Sequence, residues 1–279
     1  MIYTLKNIIL KLIPLRLRRI IKDNLNQIKL NKISHIDLTF DNLSVATNDS
    51  VNTILNDESL YSDWKSADKI ITNFKIPELS GGINKGDQRA FYYLLRHYKP
   101  ENILEVGTHL GCSTLAAALA LNYVDKGNIT TIDIKNVNDI KLKPWIDYGS
   151  KFSPMEMIKK IGSYDRVNFL VGSSLSFMAN CEEKFDLIFL DGDHSAHTVY
   201  QELPLALKLL NPKGIILLHD YFPRGQPLWG NNPPDKGPYM ALERIKKENK
   251  SIEVIPLGNL PWETKFNSSV TSLALVSKK

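Results

Sequence analysis

From residue 87 onward, short apolar runs alternate with longer stretches whose apolar positions recur every three or four residues. Runs of this kind read as strands buried on both faces, and the stretches between them as amphipathic helices packed against those strands. The runs lie at 102–106, 129–133, 167–171, 185–190, 214–219, 252–255 and 269–276. Helices are expected at 88–98, 113–123, 154–161, 198–209 and 239–247. Strands joined by crossover helices assemble into a doubly wound, mostly parallel seven-stranded sheet of the α/β class.

The chain before this region has a different pattern. Ile8, Ile9, Leu12, Ile13, Leu17, Ile20 and Ile21 recur at near-helical spacing among Lys6, Lys11, Arg16, Arg18, Arg19 and Lys22, with Pro14 between them. Charges cut every apolar run well short of the roughly 20 residues that a bilayer span requires, and no small-residue cleavage site follows a clean apolar core. Neither a transmembrane helix nor a signal peptide is expected. A basic amphipathic pattern has two readings, peripheral contact with an anionic membrane or a helix pair docked on the domain or on a second subunit. The docked helix pair is preferred. Residues 30–85 are rich in Asn, Asp and Ser, and Gly81-Gly82 reads as a hinge. The expected organisation is therefore an N-terminal helical extension over 1–85 and a ligand-binding domain over 86–279. The segment 222–238, crowded with Pro, Gly and Asn around Trp229, follows a strand end and is expected to form a substrate lid.

Composition narrows the classes further. A chain of 279 residues with 43% hydrophobic residues buries one large core. The net charge of +5 is spread among interleaved acids and bases, so nucleic acid is not expected as a partner. Cys112 and Cys181 are far apart and lack metal-ligand spacing, which excludes a disulfide framework and a zinc cluster and suits a reducing cytoplasm. Cys112 is read as a packing residue.

Candidate chemistry gathers at the strand ends. Glu105-Val106-Gly107-Thr108-His109-Leu110-Gly111 joins a strand to a helix, and its glycines permit a tight turn and close approach of backbone to a ligand. Glu105 stands where a dinucleotide-binding loop would have its first glycine, and a carboxylate there repels a pyrophosphate. Asp133 ends the second strand, where an acid can accept from ribose hydroxyls, and Gly172-Ser173-Ser174 follows the third. The fourth and fifth runs end in Asp191-Gly192-Asp193-His194 and His219-Asp220, which brings five ionisable side chains to one crevice. Asp193 either joins that cluster or caps the next helix. Tyr221, Trp229 and Trp262 are candidates to stack on a sugar or aromatic acceptor, although large aromatics near a lid more often simply pack.

With Phe185-Asp186-Leu187-Ile188-Phe189-Leu190-Asp191-Gly192-Asp193-His194-Ser195 and Leu210-Asn211-Pro212-Lys213-Gly214-Ile215-Ile216-Leu217-Leu218-His219-Asp220-Tyr221, the chain resembles the class I S-adenosylmethionine-dependent methyltransferases. Within them it is similar to the small-molecule and sugar O-methyltransferases, over about residues 87–276. The resemblance implies a Rossmann-like methyltransferase fold and a cofactor, S-adenosylmethionine, contacted by Glu105, Gly107, Thr108, Gly111, Ser113, Asp133, Gly172, Ser173, Ser174 and Asp191. It implies methyl transfer to a hydroxyl of a small molecule or saccharide. His194 is the first choice as general base and His219 the second, with Asp191 beside them. In metal-dependent relatives, carboxylates at these two strand ends hold a divalent ion, which implies Asp191 and Asp220 as ligands of Mg²⁺. Tyr221 and His219 depart from the relatives' residues at their positions. A homo-oligomer in which the extension covers a neighbour's cleft fits the same reading. Two alternatives are a nicotinamide-dependent oxidoreductase, disfavoured by Glu105 and by the lack of a full G-x-G-x-x-G, and a ligand-binding module without chemistry.

Overall fold

The computed structural model describes residues 14–78, 80–230 and 234–279. The expected helix before Pro14 lies outside the described residues. Seven strands form one sheet: β1 (Asn102–Val106), β2 (Asn128–Asp133), β3 (Val167–Val171), β4 (Phe185–Leu190), β5 (Leu210–Leu218), β6 (Ile252–Pro256) and β7 (Ala274–Lys278). Their order is β3-β2-β1-β4-β5-β7-β6, with β1 to β5 parallel and β7 antiparallel to both neighbours. The fold is the expected doubly wound one. Strand β5 begins four residues before the apolar run, because Leu210 pairs with Phe185 of β4 ahead of a register shift. Strand β7 is shorter and later than its run, since the chain before Ala274 turns through the Asn259–Val270 bridge.

Nine helices stand among the described residues: α1 (Leu15–Asn31), α2 (Asn48–Leu55), α3 (Tyr61–Asn73), α4 (Lys85–Tyr98), α5 (Cys112–Val124), α6 (Pro154–Lys160), α7 (Ser174–Asn180), α8 (Ala196–Leu209) and α9 (Gly237–Glu248). Local chemistry explains their starts. Asn84 accepts from the Asp87 amide to begin α4, and a reciprocal Ser153–Glu156 box with Pro154 at the first position begins α6. No described helix is long and apolar enough to cross a membrane.

Alternation along β4 divides the core between the two faces of the sheet. Leu187 and Phe189 face α4 and α5, whereas Ile188 and Leu190 face α8 and α9. Helix α5 is buried on almost every side from Cys112 to Leu121, and its alanines let it lie close to the sheet. Residues 46–83 were legible in sequence only as an irregular extension. They supply Val51, Ile54, Leu55, Trp64, Ala67, Ile71 and Phe74 to the same apolar cluster as Phe91 and Leu115. Trp64 is 6% exposed and meets Tyr92 edge to face at 5.5 Å. Trp64→Ala is expected to cost about 3–5 kcal/mol and to shift one cooperative urea transition. A separate early transition for the N-terminal region would contradict a shared core.

Candidate active site

The order β2-β1-β4 marks where successive crossovers diverge, and a crevice opens there at the carboxyl ends of the strands. A cavity of about 560 Å³ fills it. The loop after β1 forms one wall. Gly107 has φ +97°, and a Cβ there would lie 2.2 Å from the Asp191 carbonyl, so only glycine lets the loop cross the end of β4. Gly111 and His109 also adopt left-handed backbone. The His109 amide donates to Asp133 Oδ2 at 2.9 Å, and the Lys135 amide donates to Oδ1 at 2.9 Å. Asp133 is thus fixed at the cavity wall with lone pairs left to accept further donors.

Most of the sequence-predicted cofactor residues line this cavity: Gly107, Thr108, Ser113, Asp133, Gly172, Ser173, Ser174 and Asp191. Gly111 lies one step behind, against Pro154. Glu105 is placed beneath the loop. It is 1% exposed, and its Oε2 accepts from Thr114 and Thr131, the latter in contact with Thr108 Oγ1 at 2.6 Å. This chain props the loop from below. Burial pushes the Glu105 carboxyl up to about 7, and Asp191 adds to the shift against the hydrogen bonds from Ser113, Thr114 and Thr131. Ser174 Oγ donates to the buried Glu202 at 2.6 Å, behind the far wall.

Sequence reasoning missed Gly81, Gly82 and Ile83, which cross the cavity as a strap. A Cβ on Gly82 would meet Cys112 Sγ at 2.7 Å, and one on Gly81 would touch the His109 ring at 3.4 Å, so the glycine pair sets how closely the strap lies on the loop. Cys112 packs, as its setting in the sequence indicates, and burial pushes its thiol up to about 12.

The ionisable cluster is ordered around His219. Its Nδ1 faces Asp191 Oδ1 at 3.1 Å and Asp220 Oδ1 at 3.5 Å, and its Nε2 faces Asp87 Oδ2 at 3.2 Å. An ionised carboxylate only accepts, so a ring that donates to such groups from both nitrogens is an imidazolium. Burial alone would lower this imidazole, but Asp191, Asp220 and the hydrogen bonds to Asp191 and Asp87 outweigh it and raise it well above its ordinary value. Asp87 is fully buried at the start of α4 and was not anticipated. Its signal in sequence, Asn84 three residues earlier, speaks of a helix cap and not of a charge partner. Asp220 has a left-handed backbone, φ +54°, and accepts from Ser272 Oγ at 3.2 Å. Desolvation opposes its ionisation, yet His219, His194 and Lys265 hold its carboxyl below the usual range.

His194 is the more accessible of the two histidines. It lines the cavity, with Nε2 3.5 Å from Asp220 Oδ2 and 3.8 Å from Asp191 Oδ1. Asp193 lines the cavity just ahead of α8 and accepts from the Ser195 amide and from the hydroxyls of Ser195 and Thr198, without a bond to an amide of the helix. The donor set does not fit Mg²⁺. The inward oxygens of Asp191 and Asp220 converge on the His219 Nδ1 proton, and no group of three or more ligand-type side chains is arranged to hold a metal among the described residues.

The expected lid behaves differently from its reading. Described residues of 222–238 line neither of the two large cavities. Trp229 is buried between Phe222, Phe266 and Lys265, Tyr221 packs on Tyr239, and Trp262 lies under Arg89 with its indole donating to the Gly86 carbonyl. All three aromatics are engaged in packing. A second cavity of about 710 Å³ adjoins the first at Gly82, Ile83 and Cys112, and is lined instead by residues of 71–88 and by Glu263, Thr264, Lys265, Phe266 and Asn267.

Comparison with known proteins bears on this geometry. A family model described as a methyltransferase domain matches residues 104–221. These residues run from the loop strand through the last of the clustered acids. Over residues 104–221 the chain is similar to methyltransferase domains. Tricin synthase 2 of Oryza sativa subsp. japonica is 30% identical over 138 residues, 47% of this chain and 40% of that protein. A caffeoyl-CoA O-methyltransferase of Populus kitakamiensis is 31% identical over 151 residues, 52% of this chain and 57% of that protein. The chain thus spans about half the length of these relatives. Two solved structures share the fold. The O-methyltransferase from Bacillus cereus in complex with SAH has a TM-score of 0.53 at 19% identity, covering 84% of this chain and 98% of that one. The O-methyltransferase TomG from Streptomyces achromogenes in complex with SAM has a TM-score of 0.53 at 16% identity, covering 84% of this chain and 100% of that one.

The position of Glu105 gives a direct test. Its folded-state pKa is raised, so from about pH 4.5 to 7 the unfolded chain loses this proton while the folded protein keeps it, and stability falls as pH rises through that window. In cofactor-free Glu105→Gln this contribution is absent. The variant's unfolding free energy from urea titration is expected to gain on that of the unaltered protein between about pH 5 and 8, by on the order of 3 kcal/mol. Parallel pH profiles would contradict the assignment.

Proposed function

We propose that this protein transfers a methyl group from S-adenosylmethionine to a hydroxyl of a small molecule or saccharide, with His194 as the general base. The observation that carries the reading is the single cavity whose wall joins the Gly107 loop and Asp133 to Asp191, His194, His219 and Asp220. A nucleoside with a charged amino-acid arm matches this lining: Asp133 suits the ribose hydroxyls, the loop amides suit a carboxylate, and Asp191 suits an ammonium or the nearby sulfonium. The names of the relatives, O-methyltransferases among them, support oxygen as the acceptor atom.

Methyl transfer from a sulfonium is an in-line displacement. The acceptor oxygen forms a bond to the methyl carbon while the carbon–sulfur bond breaks, leaving neutral S-adenosylhomocysteine and a proton to be removed from the hydroxyl. His194 Nε2 receives that proton, and Asp220 beside it stabilises the imidazolium that forms. His219 already carries its proton and holds Asp191 and Asp220 in place as a fixed cation, so it is not the base. The acidic pair thereby spends its charge on two imidazoles, and no metal enters the proposed step. The acceptor reaches this point from the second cavity, beneath the Gly81-Gly82 strap. The two free thiols, Cys112 buried and Cys181 partly so, suit a reducing cytoplasm.

Calorimetric titration with S-adenosylmethionine and with NAD⁺ is expected to give binding of the methyl donor alone. Asp133→Ala should weaken that binding about 10- to 100-fold, the loss of charge-assisted hydrogen bonds to a diol, whereas His194→Ala should leave it intact and abolish turnover. Preferential binding of NAD⁺ would overturn the reading in favour of an oxidoreductase. Equal loss of donor binding in both variants would overturn the division of roles.

A further inference from the structure

Helix α1 is amphipathic in the reverse of the usual sense. At about 100° per residue, Arg19, Asp23, Asn26 and Leu30 fall on one side and Leu17, Ile20, Ile21, Leu25 and Ile28 on the other. The side facing the protein is largely polar. Arg19 and Lys22 pair with Asp235, Asp23 pairs with Lys236 at 3.3 Å, Asn26 Oδ1 accepts from the Ala196 amide, and the Leu30 carbonyl accepts from Arg244. The aliphatic side faces solvent: Leu17 is 47% exposed, Ile20 55%, Leu25 53% and Ile28 53%. A stripe of large aliphatic side chains, about 16 Å from Leu17 to Ile28 and interrupted by Asn24, is thus left uncovered along a helix that ion pairs to Asp235 and Lys236 and hydrogen bonds to α8 and α9 hold to the protein.

The charges along the stripe say what covers it. Lys29 and the capping residue Lys32 lie along one flank of the same face, both exposed. The helix carries five basic residues and a single acid, and that acid, Asp23, is turned inward onto Lys236. The exposed face therefore presents aliphatic side chains, cations and the neutral amides of Asn24, Gln27 and Asn31, with no acid among them. A second copy of the chain would bring two like-charged flanks to one seam, whereas an anionic surface with an apolar interior answers both features together. The basic, apolar composition continues through residues 2–13. We infer that α1 is a docking surface for an anionic lipid bilayer, lying in the headgroup plane with Leu17, Ile20, Ile21, Leu25 and Ile28 inserted and Lys29 and Lys32 at the phosphates.

The test is cosedimentation of the full chain with phosphatidylcholine vesicles and with vesicles containing about one third phosphatidylglycerol, alongside the double variant Ile20→Glu/Ile28→Glu. Both substituted positions are exposed and remote from the cavity, so the variant retains its fold and its affinity for S-adenosylmethionine. The expected result is about tenfold stronger partition onto the anionic vesicles, weakened at about 0.5 M salt, and lost in the variant. Equal partition of the variant, or no partition of the unaltered chain onto anionic vesicles, would overturn the inference. So would a dimer in sedimentation velocity that the double substitution dissociates, with no vesicle binding, because the stripe would then belong to a second copy.

Discussion

Three carboxylates converge on one buried imidazole, and the geometry of the site depends on that ring carrying two protons. Asp87 comes from the first turn of α4, Asp191 from the end of β4 and Asp220 from the end of β5. Without a cation among them, three buried or half-buried acids at hydrogen-bond range would repel one another or take up protons. His219 supplies the cation from within the chain. It binds the first turn of α4 to the strand ends and fixes the carboxylates of Asp191 and Asp220 beside the cavity. The same cation accounts for the poor fit of Mg²⁺, since a divalent ion would have to displace an imidazolium from the point where the carboxylates meet.

That arrangement separates two histidines that look equivalent in sequence. His219 is enclosed, with Asp191 at 3.1 Å and Asp87 at 3.2 Å on its two nitrogens, while His194 stands at the cavity wall with its nearest acid, Asp220, at 3.5 Å. A base must be able to gain a proton, so the more accessible ring suits the reaction and the enclosed one suits the scaffold. Glu105 follows a similar logic on the cofactor side. Its carboxyl bonds to Thr114 and Thr131 beneath the loop and supports the Gly107 turn from below, and Asp133 is the acid presented at the wall.

Periodicity made the sheet legible, because strands buried on both faces leave unbroken apolar runs and their crossover helices leave a recurring one. The Gly107 loop, Asp133 and the two acidic strand ends were legible for a related reason: in this fold the ends of particular strands are where ligands bind. What could not be read came from pairing across long sequence separation. Asp87 reads as a helix-start acid until the fold sets it against His219, 132 residues away. Residues 46–83 lack a clean period because they pack as short helices in a shared core, and Gly81-Gly82 reads as a hinge although it closes over Cys112 and His109. Tyr221, Trp229 and Trp262 offered two readings in sequence, stacking on an acceptor or packing, and they pack, the usual outcome for large aromatics.

The measurement that bears most directly on this account is the protonation of the histidine rings, observed through long-range proton–nitrogen NMR correlations of the labelled protein at neutral pH. The account predicts that both nitrogens of the His219 ring resonate as protonated imidazolium, and that Asp87→Asn shifts them toward the neutral pattern. A neutral His219 tautomer in the unaltered protein would contradict it, because the carboxylates would then lack the cation that holds the site together.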